Sequence, residues 1–378
     1  MADVDGVGFV GCNLHYHADK PTFDKDPSTL VGTTPRPVSI NGKRQMVIDM
    51  HAHSQVSAVW PLIKGRPEIG PEDPFHFHTP GDDDASPFDT GPLARVETLS
   101  DRLAEMDKQG VDMQVLSGAV EQYYYWTDRD LAAEIVTVQN DKLTEVAAAH
   151  PDRFVPLAHV ALHHPDLAAE QLKHAVKNLG HRGCMITGSV NDKELSDPMF
   201  HPFWAMAEEL DCVVFIHPRS FTQGGSRLKG KGFLKNIIGN PLETTVALSH
   251  LIYEGTLDRF PGLKIASAHG GGYLPSFIGR SDHGHNSADR GGRGDEQKKP
   301  SEYLKQLYFD TLVYNTENLS HLINECGISQ LMLGTDHPFG MTNENPVAHI
   351  LSTPGLSDQD VEDLLCNNAA KLFKIDNI

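Results

Sequence analysis

Four apolar runs in this chain each end in a side chain that can bind a metal ion. Met46-Val47-Ile48-Asp49-Met50 leads into His51-Ala52-His53, and Val213-Val214-Phe215-Ile216 leads into His217. Leu263-Lys264-Ile265-Ala266-Ser267-Ala268 leads into His269, and Leu331-Met332-Leu333-Gly334-Thr335 leads into Asp336. Imidazole suits zinc, manganese and iron, and a carboxylate completes a hard or borderline site. Two histidines at i and i+2 on an extended segment point to the same side, so His51 and His53 can share one ion. The H-x-H spacing alone is weak, because His15-Tyr16-His17 matches it equally well. That second copy has no apolar lead-in and reads as surface. The ordered set carries the signal: His51, His53, His217 and Asp336 are expected to hold one divalent ion, with His269 beside it.

Binuclear barrel hydrolases bridge two metals with a carboxylated lysine at the end of strand four. Here that segment is Gly183-Cys184-Met185-Ile186-Thr187-Gly188, without lysine, so a mononuclear site is expected. His269 is then free to act as a general base, the alternative being a fifth ligand. Gly270-Gly271-Gly272 follows it but lacks the G-x-G-x-x-G spacing of a phosphate loop, and close backbone packing is the expectation. There is no G-x-S-x-G elbow to support serine hydrolysis.

Short β-branched and aliphatic runs read as strands of a parallel sheet, buried on both faces. Eight are legible, alternating with helices: 46–51, 111–116, 154–160, 184–187, 212–217, 263–269, 307–311 and 330–336. Polar side chains at their C-terminal ends are where barrel enzymes keep their chemistry. The fold expected is α/β, a (β/α)8 TIM barrel over residues 46–378. Residues 1–45 read as an N-terminal extension, and the proline-rich stretch at about 54–97 as an insertion after strand one. A helix is expected over Tyr273–Arg280, a mobile loop over 290–300, and one closing helix over 358–373.

The length of 378 residues fits one barrel with additions, since a barrel takes roughly 250. The net charge of −19 argues against a nucleic-acid or anionic-membrane binder. The five cysteines are scattered without a C-x-x-C pair, which fits a reduced cytoplasmic protein, with Cys184 and Cys212 as buried filler. No apolar stretch approaches the roughly 18 residues of a membrane span.

Several segments carry a family resemblance: Arg102-Leu103-Ala104-Glu105-Met106-Asp107-Lys108-Gln109-Gly110, Phe215-Ile216-His217-Pro218, Ala268-His269-Gly270-Gly271-Gly272 continuing to Gly279-Arg280, and Leu333-Gly334-Thr335-Asp336-His337-Pro338-Phe339. Over roughly residues 46–376 the chain resembles the amidohydrolase superfamily, in the decarboxylase branch typified by aminocarboxymuconate-semialdehyde decarboxylase. The resemblance implies a distorted barrel with one divalent metal per subunit, zinc in preference to manganese. It implies His51, His53, His217 and Asp336 as ligands and His269 as the activating residue. Arg102 matches an arginine that holds a substrate carboxylate, and Arg280 one that reaches into the neighbouring subunit's site. A homodimer, or a dimer of dimers, follows. Bidentate pairing of guanidinium with carboxylate is the physical reason for arginine at such places. Arg219 and His337 stand where the typical member has tryptophan and tyrosine. With Phe339 they are expected to line the substrate pocket, the added cation favouring a second acidic or phenolate oxygen.

The combined expectation is a metal-dependent, non-oxidative decarboxylase of an aromatic or muconate-type carboxylic acid. The metal and arginines orient the acid, and Asp336 carries the proton to carbon. A hydrolase or hydratase of the same superfamily, acting on a lactone, amide or unsaturated acid, would use the same ligands. A non-catalytic metal-containing scaffold is disfavoured by the intact ligand set together with His269.

Overall fold

The computed structural model describes residues 9–12, 37–68, 94–97, 99–229, 232–287 and 291–376. Eight parallel strands form the centre: β1 (Ile48–Ser54), β2 (Met113–Gly118), β3 (Phe154–Pro156), β4 (Gly183–Ile186), β5 (Val213–Ile216), β6 (Lys264–Ser267), β7 (Leu307–Asp310) and β8 (Leu331–Met332). Strands β1 to β3 make one ladder and β4 to β8 another, each in sequential order.

Two narrow seams join the ladders into a closed, distorted barrel. At one, Ala158 bridges Cys184, with Ala158 N–H donating to the Gly183 carbonyl at 2.9 Å. At the other, Ala52 bridges His337; Met50 N–H donates to Leu333 O at 2.9 Å and Asp336 N–H to His51 O at 2.8 Å. Closure leaves no free sheet edge, and barrel mouths are where strand-end side chains meet.

The register sets the mouth. Ile216 of β5 lies opposite both Ile186 of β4 and Ser267 of β6, so His217 and His269 leave the sheet at nearly the same level. The strands are almost wholly buried and apolar, with Val214, Phe215, Ile265, Ala266 and Phe309 at 0% exposure. Parallel strands covered on both faces read this way.

The helices follow their local signals. Helix α1 spans Leu99–Gln109 and α2 Arg129–Ala149, the latter starting where Asp128 caps it by accepting from Leu131 N–H. Helix α3 (Pro165–Asn178) opens on proline and buries Leu167, Ala168, Leu172 and Ala175, one stripe at helical spacing. Helices α4 (His201–Leu210) and α5 (Asn240–Tyr253) flank β5, and α6 (Ile278–His285) and α7 (Thr316–Cys326) flank β7.

Some boundaries differ from expectation. Strand β1 runs on to Ser54, so His51 and His53 lie within it. Strand β8 is cut to two residues: its pairing with β7 ends at Met332, and the chain then turns to reach Asp336 with φ +60°. The helix expected over Tyr273–Arg280 is a 3-10 turn, Pro275–Phe277, and the α-helix begins only at Ile278. Gly272, with φ +66°, still belongs to the turn that leaves β6. The closing helix is split by a π turn, Asp363–Asn367, between Asp358–Glu362 and Asn368–Phe373.

Phe9–Cys12 from the N-terminal extension pairs antiparallel with Ala94–Glu97, the end of the insertion. A hairpin, Val38–Ile40 with Lys43–Gln45, leads into β1. His15 and His17, most of the insertion, and residue 290 of the expected loop lie outside the described residues. Among the described residues Cys184, Cys212, Cys326 and Cys366 are free and buried, and no helix is long and apolar enough to cross a membrane.

Candidate active site

The side chains at the ends of β1, β5, β6 and β8 meet at the barrel mouth. Nε2 of His51 and Nε2 of His53 each lie 3.1 Å from Oδ1 of Asp336, and Nε2 of His217 lies 3.6 Å from the same oxygen. His269 approaches from another side, its Nε2 3.5 Å from Oδ2 of Asp336. One atom each from His51, His217, His269 and Asp336 falls within a mutual 4.8 Å, the compactness of a coordination sphere. That compact set includes His269 and not His53, yet Nε2 of His53 is 3.0 Å from Nε2 of His51.

What stands behind each ring separates the histidines. The Nδ1 of His51 donates to Asp310 at 2.7 Å, that of His53 to the Gly118 carbonyl at 3.2 Å, and that of His217 to the Pro218 carbonyl at 2.9 Å. A neutral imidazole that donates through Nδ1 presents its lone pair at Nε2, the arrangement metal-ligating histidines adopt. Nδ1 of His269 has no hydrogen-bond partner among the described residues, and its side chain is the most exposed of the four rings at 12%.

The donor set fits a metal ion on these observations. Among the described residues, Nε2 of His217 and Oδ1 of Asp336 are buried without a hydrogen-bond partner. Orphaned buried polar atoms are costly, and an ion between them satisfies all of them together. Charge in the cluster is strongly coupled. In the metal-free protein burial depresses the His51 imidazole, but the carboxylates of Asp336 and Asp310 outweigh it and lift it to about 10, so an ion binding at Nε2 displaces the proton held there. Burial holds His53 and His217 below the ordinary histidine value. Burial works to raise Asp336, yet the surrounding imidazoles keep it well below the usual carboxylate range.

The backbone is bent to make this possible. His269 and Asp336 have φ of +56° and +60°, a left-handed conformation unusual outside glycine. Such strain clusters at functional sites. Gly334 lets β8 approach: a Cβ there would lie 2.7 Å from Asp310 Cβ and 3.0 Å from His51 Cβ. The three glycines after His269 serve packing, as expected; a Cβ at Gly271 would meet the Phe309 ring at 2.6 Å, and one at Gly272 the Pro241 carbonyl at 2.1 Å.

The other expected residues are placed as follows. His337 is buried behind a cis bond to Pro338, and its carbonyl accepts from His53 N–H at 2.7 Å. The Phe339 ring lies 5.0 Å from the His53 ring. Arg219, half-buried, acts electrostatically on Tyr125, whose hydroxyl accepts from Thr187 at the end of β4 at 3.3 Å. Arg280 is exposed on the first turn of α6. Arg102, expected to hold a substrate carboxylate, lies on α1 beside the end of β1. It is fully buried, its guanidinium donating to the His53 carbonyl and, at 3.1 Å, to Gln114 Oε1.

Two buried carboxylates were not anticipated. Asp310 ends the apolar run Leu307–Phe309, the same strand-end signal that marks the candidate ligands. Asp49 interrupts Ile48 and Met50 and accepts from Thr335 Oγ1 at 2.6 Å, from His51 N–H at 3.0 Å and from Gln114 at 3.1 Å. It ties β1 to the segment carrying Asp336.

Known proteins place this arrangement. The amidohydrolase family profile matches residues 48–375. The chain is similar to the 2-amino-3-carboxymuconate-6-semialdehyde decarboxylase of Dictyostelium discoideum, at 33% identity over 73% of this chain and 76% of that protein. Its structure resembles that of 5-carboxyvanillate decarboxylase from Sphingomonas paucimobilis, with a TM-score of 0.76 and 28% identity, covering 88% of this chain and 99% of that one. It also resembles a dihydroxybenzoic acid decarboxylase from Polaromonas sp. JS666, solved with bound manganese and the inhibitor 2-nitroresorcinol. That pair has a TM-score of 0.71 and 25% identity, covering 88% of this chain and 98% of the other. Sequence and barrel geometry therefore agree that the chain belongs to the amidohydrolase family, on its aminocarboxymuconate-semialdehyde decarboxylase-like branch.

Proposed function

We propose that this protein is a metal-dependent, non-oxidative decarboxylase of an aromatic or muconate-type carboxylic acid. The observation that carries the reading is the convergence of three Nδ1-anchored imidazoles on one oxygen of Asp336. The similar proteins above, all decarboxylases, support it. In this reading His51, His53, His217 and Asp336 hold one divalent ion, and His269 stands beside it as the acid–base residue. A bound ion supplies Lewis-acid polarisation and a fixed anchor for the acid. Three imidazoles and one carboxylate suit zinc in preference to manganese. Manganese is the alternative, given the Polaromonas relative.

The chain's own groups do the rest. Decarboxylation breaks the C–CO2⁻ bond and leaves its electron pair on carbon, which must gain a proton. Asp336 is the candidate carrier of that proton to carbon. His269, 3.5 Å from Oδ2, is placed to supply that proton. Arg219, His337 and Phe339 line the substrate side, Arg219 meeting a second acidic or phenolate oxygen. Arg102 acts as a strut behind His53 and holds that strand end in place.

The functional unit in this reading is a cytoplasmic homodimer, or a dimer of dimers, with Arg280 completing the partner's site. Phe277 is 64% exposed beside α6. Across a hydrogen bond from Tyr273 to the Ile237 carbonyl lie the exposed Ile237 and Ile238. An apolar patch of this kind marks an interaction surface.

Metal analysis followed by a CO2-release screen over phenolic, pyridine and muconate acids tests the reading. One ion per chain and stoichiometric CO2 from at least one acid are expected. Consumption of an acid, lactone or amide without CO2 would return the hydrolase or hydratase reading instead.

A further inference from the structure

Asp310 is fully buried at the end of β7 and belongs to none of the groups assigned so far. Each of its oxygens accepts twice. Oδ2 takes Nδ1–H of His51 at 2.7 Å and the main-chain N–H of His269 at 2.9 Å. Oδ1 takes the N–H of Gly270 at 2.8 Å and of Leu312 at 3.0 Å. One carboxylate oxygen thus serves a histidine of the proposed metal site and the histidine proposed for acid–base work.

Each bond has a distinct consequence. An imidazole that donates from Nδ1 to a carboxylate keeps the lone pair of Nε2 pointed at the cluster and gains basicity there. The backbone N–H of His269 belongs to a residue at φ +56°, a conformation that persists only where the surroundings over-determine it. Asp310 supplies that constraint at His269 and, through Gly270, at the next residue as well. The partners behind the other two rings are neutral, the Gly118 carbonyl and the Ser117 hydroxyl behind His53 and the Pro218 carbonyl behind His217. The carboxylate behind His51 is therefore the one charged orienting group on the three rings that converge on Asp336 Oδ1.

We propose that Asp310 is a positioning residue that orients His51 for metal binding and, through the same oxygen, locks the main chain of His269. The proposal rests on the metal-site reading above. Asp310→Asn is the informative variant. Its amide oxygen can keep two backbone N–H groups, but its NH2 then opposes Nδ1–H of His51, donor against donor. The ring must turn or change tautomer, and the lone pair at Nε2 is lost.

The experiment titrates metal-free protein with Zn(II) against a competing chelator, then records the visible spectrum of the Co(II) form. Wild type should bind one ion. Asp310→Asn should bind it about 10–100-fold more weakly, the range for loss of an outer-shell partner. Its Co(II) bands should be altered, which a purely structural lesion would not do. Hydrogen exchange across 269–272 should be faster in the variant.

Equal Zn(II) affinity and an unchanged Co(II) spectrum in Asp310→Asn would overturn the assignment while leaving the metal site intact. If wild type itself takes up no ion, the metal-site reading fails and this proposal with it. Should the variant not fold, proton NMR of the Zn(II)-loaded wild type decides. The Nδ1–H of His51, bonded to a carboxylate, should resonate downfield of those of His53 and His217, which are bonded to neutral groups. Three equivalent resonances would refute the proposal.

Discussion

Nε2 of His53 stands 3.1 Å from Oδ1 of Asp336, and the strand ends that carry them are joined by the main chain, His53 N–H donating to the His337 carbonyl at 2.7 Å. The seam that closes the barrel between β1 and β8 is therefore also the centre of the site. A ligand that binds across this seam binds the folded barrel and not the unfolded chain.

Metal removal should accordingly lower stability. With Zn(II) at about 1,000 times its Kd, linkage gives roughly 4 kcal/mol in favour of the folded form. Melting curves with Zn(II) and with excess chelator should be separated accordingly. In Asp336→Asn the ion should bind more than about 100-fold more weakly, beyond the outer-shell range, and the separation should vanish. Unchanged metal content in that variant would remove Asp336 from the ligand set.

His269→Asn should keep the metal and lose turnover by about 10²–10⁴-fold, the usual cost of removing a general acid or base. Among the described residues, Nδ1 of His269 lacks the partner that Nδ1 of each of the other three rings has. Loss of the ion from this variant would move His269 into the ligand set, as the compact four-residue group suggests.

Arg219→Trp should raise KM for the native acid by about tenfold or more while kcat changes less. A hydrogen bond to a charged group contributes about 1.5–3 kcal/mol, and about 1.4 kcal/mol is tenfold in binding. Steady-state kinetics on the acid identified by CO2 release would check this. Unchanged KM would place Arg219 outside the substrate pocket.

Mixing Arg280→Ala with His269→Asn should restore activity if the arginine completes the partner's site. Each variant alone is expected to be inactive, and a hybrid dimer contains one intact site. A C2 interface places the two arginines reciprocally. Because α6 begins only at Ile278, Arg280 lies in its first turn. Subunit exchange without recovered activity would exclude a shared site.

Acid should destabilise the fold through His181. Burial lowers this imidazole to about 4, while its unfolded value is near the ordinary 6.5. Its folded value is depressed, so its neutral form costs nothing above pH 6.5. As pH falls from 6.5 toward 4 the unfolded chain takes a proton that the folded one refuses. At pH 5 the loss is about 2 kcal/mol. Denaturation of wild type and His181→Gln between pH 7.5 and 5 should show a shallower loss in the variant. Parallel curves would mean that His181 is already protonated in the folded protein.

The chain's local patterns carried much of this outcome. Apolar runs of strand length ending in His51, His217, His269 and Asp336 specify both a buried parallel sheet and the level at which its polar ends emerge. Each strand's identity depends on its own few residues, so the order of the candidate ligands along the chain needed no contacts to read. What needed the tertiary structure is everything set by closure. The αL turns at His269 and Asp336 depend on neighbours distant in sequence. The place of Arg102 is another case: a helix arginine aimed at a ligand and one buried behind a strand have the same local sequence. Asp310 sits at a strand end as plainly as the candidate ligands do. Only the fold brings His51 and His269 together on one of its oxygens, because hydrogen-bond partners are chosen by proximity in space, and pattern along the chain does not encode that.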